Sequence, residues 1–334
     1  MELQHYLYSF LGFSLSATIV LALSKYAYLF GLLDHPDARK QHNHSTPVVG
    51  GVGMFIALAS TLLFFGGFSE NFKALILLVS ILAIIGALDD RMDVPARYRL
   101  LLQIVLTLIM INWTGVQLNN LGAIGGPVIV TLGIFTIPMT IIGVVGMINT
   151  VNFSDGLDGL AGGFVMIALM LLSGIAWHHG HTELLTEFAL LIGIMLGFLI
   201  YNGRYFGHKH AKVFMGDAGS MLWGFLLAWY FISMSQGAER LISPVTALWI
   251  FALPLFDTVS IILRRLIRGR SPFSPDREHL HHILMLAGFS VSKSVNPMLI
   301  SALLLGCIGV AGELMGLPEA LMFWGFITLF SFYF

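Results

Sequence analysis

Two adjacent aspartates, Asp89 and Asp90, stand at the end of an apolar run in the segment ALDDRMDV, and Asp93 follows them. Side-by-side carboxylates are costly unless a cation or another partner offsets their charge. On a helix, Asp93 would share the face of Asp89. The cluster therefore indicates a site that handles a cation or a phosphate. The alternative is a solvated turn at a membrane edge, with Arg91 and Arg97 as the partners.

A second polar series interrupts the apolar sequence at NTVNFSDGLDGLAGG, where Asn149, Asn152, Asp155 and Asp158 recur at every third position. If this segment is helical, neighbours in the series face the same region. The intervening glycines allow a ligand to approach the backbone closely, and the N-terminus of a following helix favours phosphate. Helix capping accounts for one such side chain but not for the whole series, so a polar site is predicted.

Asp217 lies between glycines in KVFMGDAGS, where it could simply cap a helix. Lys209 and Lys212 precede it and favour a metal or phosphate role instead. Phosphoryl transfer between two anions needs positioning and charge neutralisation more than covalent chemistry. Mg²⁺ with oxygen ligands supplies that neutralisation, and Asp and Asn are suitable ligands.

Three imidazoles form a further cluster in SPFSPDREHLHH, at His279, His281 and His282. Such a cluster is compatible with Zn²⁺, with proton transfer or with a phosphate contact. A structural zinc site usually includes cysteine, and the single Cys307 lies in an apolar segment. We therefore expect phosphate or metal-edge contacts. The arginines upstream, including Arg265, could bind a diphosphate or could simply anchor the cytosolic side.

The elements that position these residues are apolar segments. Of 334 residues, 57% are hydrophobic and 10% are charged, whereas a soluble domain carries about 25% charged residues. We predict an all-α, polytopic integral membrane protein with about eleven transmembrane helices, each near the roughly 20 residues that cross a bilayer. They lie near 5–29, 48–65, 72–88, 99–113, 128–148, 159–177, 185–202, 218–234, 244–263, 297–313 and 319–334.

The charges predict the orientation of these helices. Nearly all Lys and Arg residues fall in loops that follow odd-numbered spans, and basic loops stay in the cytosol. The N-terminus is therefore predicted to face outward. All ten aspartates lie on the predicted cytosolic side, which indicates an active site on the cytosolic loops. No basic run suggests a nucleic-acid partner.

In order and spacing, the motifs resemble the polyprenyl-phosphate N-acetylhexosamine-1-phosphate transferases. The resemblance rests on DD at 89–90, NxxNxxDGxDGL at 149–160, FMGDAGS at 214–220 and HLHH at 279–282. The segments DHPDARKQHNHSTPVVGGVGMF and SPFSPDREHLHH are similar to the branch that uses UDP-N-acetylglucosamine. The resemblance implies a single transferase domain over 1–334. It also implies transfer of N-acetylglucosamine-1-phosphate from UDP-GlcNAc to undecaprenyl phosphate, with release of UMP.

The resemblance also implies roles for individual residues. Asp217 and Asn152 would bind Mg²⁺ or Mn²⁺. The residues expected to be catalytic are Asp89, Asp90, Asp155 and Asp158. The residues expected to bind substrate are Arg39, Lys40, Asn149, Arg265, His279, His281 and His282. A phosphate monoester is largely dianionic at pH 7 because its second pKa is about 6, so Asp89 or Asp90 is expected to position the attacking group more than to deprotonate it.

The resemblance further implies a bacterial cytoplasmic (inner) membrane location and the first membrane step in O-antigen or enterobacterial common antigen synthesis. Two other functions stay open. One is the same chemistry on UDP-N-acetylmuramoyl-pentapeptide or another UDP-N-acetylhexosamine. A more remote one is an ion-coupled transporter, which would place charged groups near the bilayer midplane. A homodimer is also left open.

Overall fold

The protein is helical almost throughout in the computed structural model, which describes residues 2–34, 45–66, 68–204, 208–271 and 278–334. In chain order the helices are α1 Glu2–Phe30, α2 Gly50–Phe64, α3 Glu70–Met92, α4 Ala96–Thr114, α5 Thr136–Ser154, α6 Leu160–His178, α7 Thr182–Asn202, α8 Gly216–Ser235, α9 Pro244–Ile250, α10 Ala252–Ile267, α11 Leu280–Leu286, α12 Val291–Leu314 and α13 Glu319–Tyr333, with a 3₁₀ turn at Gly133–Phe135. Two short strands, β1 Leu33–Asp34 and β2 Thr46–Pro47, pair antiparallel.

The architecture is that of an all-α, multi-pass membrane protein. Within the described residues, seven helices are long and apolar enough to cross a bilayer, or eight if the bent pair α9 and α10 forms one span. A helix lies at each of the eleven predicted positions, but the number of crossings is not confirmed. Helices α2 and α13 are shorter than these seven candidate spans, and α4 carries two arginines, a glutamine and an asparagine.

Two predicted spans differ in shape from the structure. The fifth was predicted to begin near residue 128, but the chain there is not helical, and Asn120 pairs with Thr131 in an isolated bridge. The ninth is not one straight helix, because α9 and α10 meet at an angle of 88°. Pro254 explains this break, since it has no N–H to donate to the carbonyl of Ile250 and its ring would clash there.

The chain forms two compact units, of which the first comprises residues 1–116 and 141–229. In this unit α7 packs on α1 and α6, while α2 contacts α1, α3 and α7. Glycines allow these helices to approach closely, as small residues do in membranes. A Cβ on Gly193 would lie 2.1 Å from the Ser9 carbonyl oxygen, and one on Gly51 would lie 2.0 Å from the Gly219 nitrogen. The first turn of α8 is therefore held directly against α2.

The second unit comprises residues 117–140 and 230–334. Here α9 packs on α12 and α13, and α10 contacts the same two helices. Its core contains Trp249, Phe256 and Phe326, with the rings of Phe256 and Phe326 centred 4.8 Å apart. The Trp249 indole donates a hydrogen bond to the Met322 carbonyl at 3.0 Å, which satisfies the polar atom inside this core. The sequence prediction of one transferase domain concerns function and stays a prediction.

Gly86 offers a direct test of helix packing in the first unit. A Cβ at this position would lie 2.4 Å from the Ala218 Cα, which is backbone and cannot swing away. We expect Gly86→Ala to destabilise the protein by about 1–3 kcal/mol through overpacking. Gly143→Ala is the matched control because nothing lies within 4 Å of its added Cβ. Thermal unfolding in detergent should separate the two variants, and equal unfolding midpoints would contradict this packing.

Candidate active site

Asp90 links the end of α3 to the start of α8. Its Oδ1 accepts the Asp217 N–H at 2.7 Å, and its Oδ2 accepts the Ala218 N–H at 3.2 Å. These amides belong to the first turn of a helix, where N–H groups lack partners within the helix and favour negative charge. Gly216 makes the approach possible, because its φ is +74° and a Cβ there would lie 2.6 Å from Asp90 Oδ2.

Arg99 joins two of the predicted site aspartates. Its Nη1 lies 2.5 Å from Asp89 Oδ2 and 3.1 Å from Asp217 Oδ2. The other oxygen of Asp89 accepts the Val94 N–H at 2.7 Å. Asp89 is therefore not a solvated residue at a membrane edge: its side chain is 4% exposed, and its partner is Arg99 rather than Arg91 or Arg97. One guanidinium offsets the charge of carboxylates from α3 and α8.

The position of Asp93 differs from the sequence prediction. Helix α3 ends at Met92, and Asp93 adopts a left-handed conformation with φ of 52°. A residue that leaves the helix does not continue its periodicity, so Asp93 does not share the face of Asp89. It is exposed, and its N–H closes the last turn on the Asp89 carbonyl at 3.0 Å.

The asparagines of the second motif belong to the last turns of α5. Asn152 donates to Asp217 Oδ1 and also to Ser220 Oγ, the latter at 2.9 Å. Asn149 donates to Gln103 Oε1 at 3.2 Å and to the Val145 carbonyl. The structure thus brings Asn152 to Asp217, as their predicted shared role requires. Asn149 instead ties α5 to α4.

Asp155 follows directly after α5 and lies near Asp217 and Asp90. Burial raises the pKa of its carboxyl well above the usual range, and the charges of Asp217 and Asp90 raise that pKa further. A hydrogen bond donated by the Gly216 N–H opposes these effects. Carboxylates from three segments of the first unit therefore lie close enough to interact, and the arrangement favours an additional positive charge.

Asp158 has a different environment. Its Oδ2 accepts from Arg204 Nε at 2.7 Å and from the Ala211 N–H at 3.0 Å. Nearby, Asn202 accepts the Gly159 N–H at 2.9 Å and donates to the Val213 carbonyl. These contacts join the turn after α5 to the segment between α7 and α8. Asp158 therefore holds two loops together at the start of α6.

The carboxylate and amide oxygens in this part of the molecule are of the type that can bind Mg²⁺ or Mn²⁺. Within the described residues, no three His, Cys, Asp or Glu side chains are arranged as a ready-made metal site. Mg²⁺ does not need such a cage, because it keeps several waters and is commonly held by one or two carboxylates together with substrate phosphates. Asp217 offers both oxygens, which now accept from Asn152 and Arg99, and Asp155 adds a second carboxyl.

The histidine cluster lies in the second unit, at the start of α11. His279 Nδ1 lies 2.8 Å from Asp257 Oδ2. The rings of His279 and His281 stack with centroids 5.5 Å apart, and the His281 and His282 centroids are 4.2 Å apart. Arg264, on the same helix as Asp257, donates to the Ser260 carbonyl and hydroxyl, whereas Asp257 accepts from α11 and α13.

Two arginines close to this cluster in the sequence have different environments. Arg265 is buried in the last turn of α10, while Arg268 pairs with Glu278. Arg39 and Lys40, which were predicted to bind substrate, lie outside the described residues. Their predicted roles therefore stay predictions from the sequence.

Burial of His281 predicts a pH-dependent stability. Burial, and then the charges of His282 and His279, lower the pKa of His281 to about 3. Below about pH 6.5 the His281 side chain binds a proton in the unfolded chain but not in the folded protein. The free energy of unfolding therefore falls as the pH is lowered, by up to about 1.4 kcal/mol per pH unit between pH 6.5 and pH 3. We expect His281→Gln to flatten this dependence between pH 7 and pH 5.

Thermal unfolding midpoints in detergent at pH 7 and pH 5 would measure this effect. The control is His178→Gln, because His178 is exposed at the end of α6. An equal loss of stability at pH 5 in His281→Gln and in the unmodified protein would contradict the assignment.

Sequence reasoning missed several residues that complete these clusters. Arg99 was counted only as a cytosolic basic residue, although its position ten residues after Asp89, across a short turn, was a usable signal. Arg204 was treated in the same way, and Ser220 and Gln103 were overlooked because single polar residues in apolar helices are usually satisfied locally. No sequence signal pointed to Tyr333, which contacts Asp257 at a separation of 76 residues.

Comparison with known proteins adds the family. Residues 72–235 match the profile described as Glycosyl transferase family 4. The undecaprenyl-phosphate alpha-N-acetylglucosaminyl 1-phosphate transferase of Yersinia pestis is 36% identical over 96% of this chain and 88% of its own length. The proteins of the same name from Escherichia coli K12 and Haemophilus influenzae are 37% and 36% identical, over 92% and 97% of this chain and 84% and 91% of their own lengths. This chain therefore belongs to glycosyl transferase family 4, the family of these undecaprenyl-phosphate transferases.

Proposed function

We propose that this protein transfers N-acetylglucosamine-1-phosphate from UDP-GlcNAc to undecaprenyl phosphate and releases UMP. The observation that carries the proposal is the convergence of Asp217, Asn152 and Asp155 with the Asp89–Arg99 pair in one unit of a chain that belongs to this family. The relatives' names supply the lipid and the sugar. The cluster supplies groups that could manage the negative charge of a phosphoryl transfer.

In the proposed reaction, an oxygen of the lipid phosphate attacks the β-phosphorus of UDP-GlcNAc. A new phosphorus–oxygen bond forms to the lipid phosphate, the bond between the β-phosphorus and the bridging oxygen breaks, and UMP leaves with that oxygen. A divalent cation, when bound, would neutralise charge on the transferring phosphate. Asp217 and Asn152 are the residues we propose to hold it, with Asp155 beside them.

Asp89 and Asp90 are proposed to position groups rather than to act as bases. Both oxygens of Asp90 accept backbone N–H groups of α8, and those of Asp89 accept from Val94 and Arg99. Carboxylates held in this way fix the relative placement of α3, α4 and α8. The lipid phosphate needs little help from a base near neutral pH, because its second pKa is about 6.

The remaining proposals, on substrate contacts, location and biosynthetic step, rest on the family resemblance. We propose that Asp158 orders the loops on the nucleotide-sugar side, and that Asn149, Arg265, His279, His281, His282, Arg39 and Lys40 contact substrate. We also propose a bacterial cytoplasmic membrane location with the aspartates facing the cytosol, and a role at the first membrane step of O-antigen or enterobacterial common antigen type synthesis. A homodimer is compatible with this proposal and is not required by it.

A substrate panel tests the proposed sugar. The purified protein, undecaprenyl phosphate and Mg²⁺ would be incubated separately with UDP-GlcNAc, UDP-GalNAc and UDP-N-acetylmuramoyl-pentapeptide, and both UMP and the lipid product measured. We expect UDP-GlcNAc to be preferred. Turnover of the pentapeptide substrate alone would move the protein to the other branch of the superfamily. Absence of UMP from every substrate, in protein shown to be folded, would contradict the transferase proposal and favour the transporter alternative.

A further inference from the structure

Asp257 is a buried carboxylate on α10 that accepts hydrogen bonds from two other helices. Its Oδ2 lies 2.8 Å from His279 Nδ1, and its Oδ1 accepts the Leu280 N–H at 2.9 Å. The Tyr333 hydroxyl donates to the same Oδ1 at 3.1 Å. Asp257 is only 8% exposed and His279 only 7%. The carboxylate therefore fixes both the first residue of α11 and the ring of the histidine that precedes it.

A carboxylate at Nδ1 determines which ring nitrogen carries the proton. Asp257 accepts, so His279 donates through Nδ1–H and turns its other ring nitrogen, Nε2, away from the carboxylate. In metal centres, partners that orient a histidine in this way change affinity or activity by about 10- to 100-fold when they are removed.

Tyr333 extends this network to the last helix of the described chain. Its ring packs on Phe256 with centroids 5.8 Å apart, and Phe256 precedes Asp257 on α10. The hydroxyl is thus carried to Asp257 by the aromatic core that joins α10 to α13. A hydroxyl that donates to Oδ1 leaves Oδ2 for the imidazole, so it restricts the rotation of the carboxylate.

We propose that Asp257 is a positioning residue that holds the Nδ1–H of His279 and so turns its Nε2 toward the nucleotide-sugar substrate, with Tyr333 as the third member of the network. The contact with substrate rests on the proposed function. The coupling among Asp257, His279 and Tyr333 rests on the contacts within the second unit alone. The two parts can therefore be tested separately.

The first test measures the tautomer directly. Protein with ¹⁵N-labelled histidine would be studied by NMR in detergent, with the His279 signals assigned from their loss in His279→Gln. We expect a protonated Nδ1 in the unmodified protein, and a mixed tautomer in Asp257→Asn, because an amide can accept or donate at that position. An unchanged Nδ1–H form in Asp257→Asn would overturn the proposal without reference to enzyme activity.

The second test measures what the coupling does for the substrate. We expect Asp257→Asn to weaken UDP binding and to raise the KM for UDP-GlcNAc by about 10-fold or more, with little change in the KM for undecaprenyl phosphate. Asp257→Glu should recover part of the loss, and Tyr333→Phe should show a smaller effect in the same direction. The control is Ser331→Ala, which removes an exposed α13 hydroxyl whose hydrogen bond within the described residues goes to the Ile327 carbonyl of the same helix.

The two tests distinguish the possible failures. Equal rises in both KM values, or a fall in kcat alone with the tautomer intact, would overturn the positioning role. A protein that shows the coupled tautomer but neither binds UDP nor releases UMP would contradict the proposed function while supporting the Asp257–His279 coupling.

Discussion

Asp217→Asn should reduce kcat for UMP release by about 10³-fold or more, which is the scale on which charge-neutralising groups contribute to phosphoryl transfer. The substitution keeps the shape of the side chain and removes its charge. Arg99 and Asn152 now donate to its two oxygens, so an amide would leave one donor facing another. It would also remove the carboxylate that we propose to hold the metal.

Metal binding by Asp217→Asn can be measured independently of its activity. Mn²⁺ binding followed by electron paramagnetic resonance should weaken in Asp217→Asn, whether or not substrate is present. Glu70→Gln is the control, because Glu70 is an exposed carboxylate with a side chain 87% accessible, paired with Lys73. Retention of more than a tenth of the activity, with unchanged Mn²⁺ binding, would remove Asp217 from the proposed site.

Arg99→Gln should have the second largest effect. Without the guanidinium, the Asp89 and Asp217 carboxylates lose their shared counter-charge. We expect the metal-free protein to lose about 2 kcal/mol of stability, less than the roughly 3–5 kcal/mol lost when a fully buried pair is broken, because the Arg99 side chain is 28% exposed. Activity should fall about 100-fold, since the relative placement of α3 and α8 is disturbed.

The addition of Mg²⁺ tests whether the effect of Arg99→Gln comes from the loss of positive charge. A cation that binds the folded protein stabilises it by mass action, and it would replace part of the missing positive charge. Mg²⁺ should therefore raise the unfolding midpoint more in Arg99→Gln than in the unmodified protein. Arg97→Gln is the control, because Arg97 stacks on the exposed Tyr98 ring. An equal response to Mg²⁺ in both variants would contradict the counter-charge role of Arg99.

The charge pattern predicted that the aspartates form one site, because polar residues are costly within apolar segments unless they have a function. The family resemblance then placed Asn152 beside Asp217. The contacts Asp90–Asp217 and Asn152–Asp217 agree with that grouping. Their division into catalytic, substrate-binding and metal-binding roles stays a prediction.

Other features depend on tertiary contacts that one-dimensional patterns do not contain. In the sequence, Arg99 cannot be distinguished from the other arginines of the predicted cytosolic loops. Its role becomes visible only in the fold, where Asp89 of α3 and Asp217 of α8 both contact it. The pairing of Asp257 with His279 and Tyr333 joins residues that are 22 and 76 positions apart. The break between α9 and α10 could have been predicted from Pro254, but the largely apolar character of 244–263 favoured a single span.

The most direct test of the central claim follows the β-phosphate. UDP-GlcNAc labelled with ³²P at the β position would be incubated with purified protein, undecaprenyl phosphate and Mg²⁺, and the label followed together with the released nucleotide. We predict that the label enters the lipid fraction in equal amount to the UMP released, and that both require the lipid acceptor and are lost in Asp217→Asn. Release of UDP with an unlabelled lipid would show transfer of the sugar alone and would contradict the account.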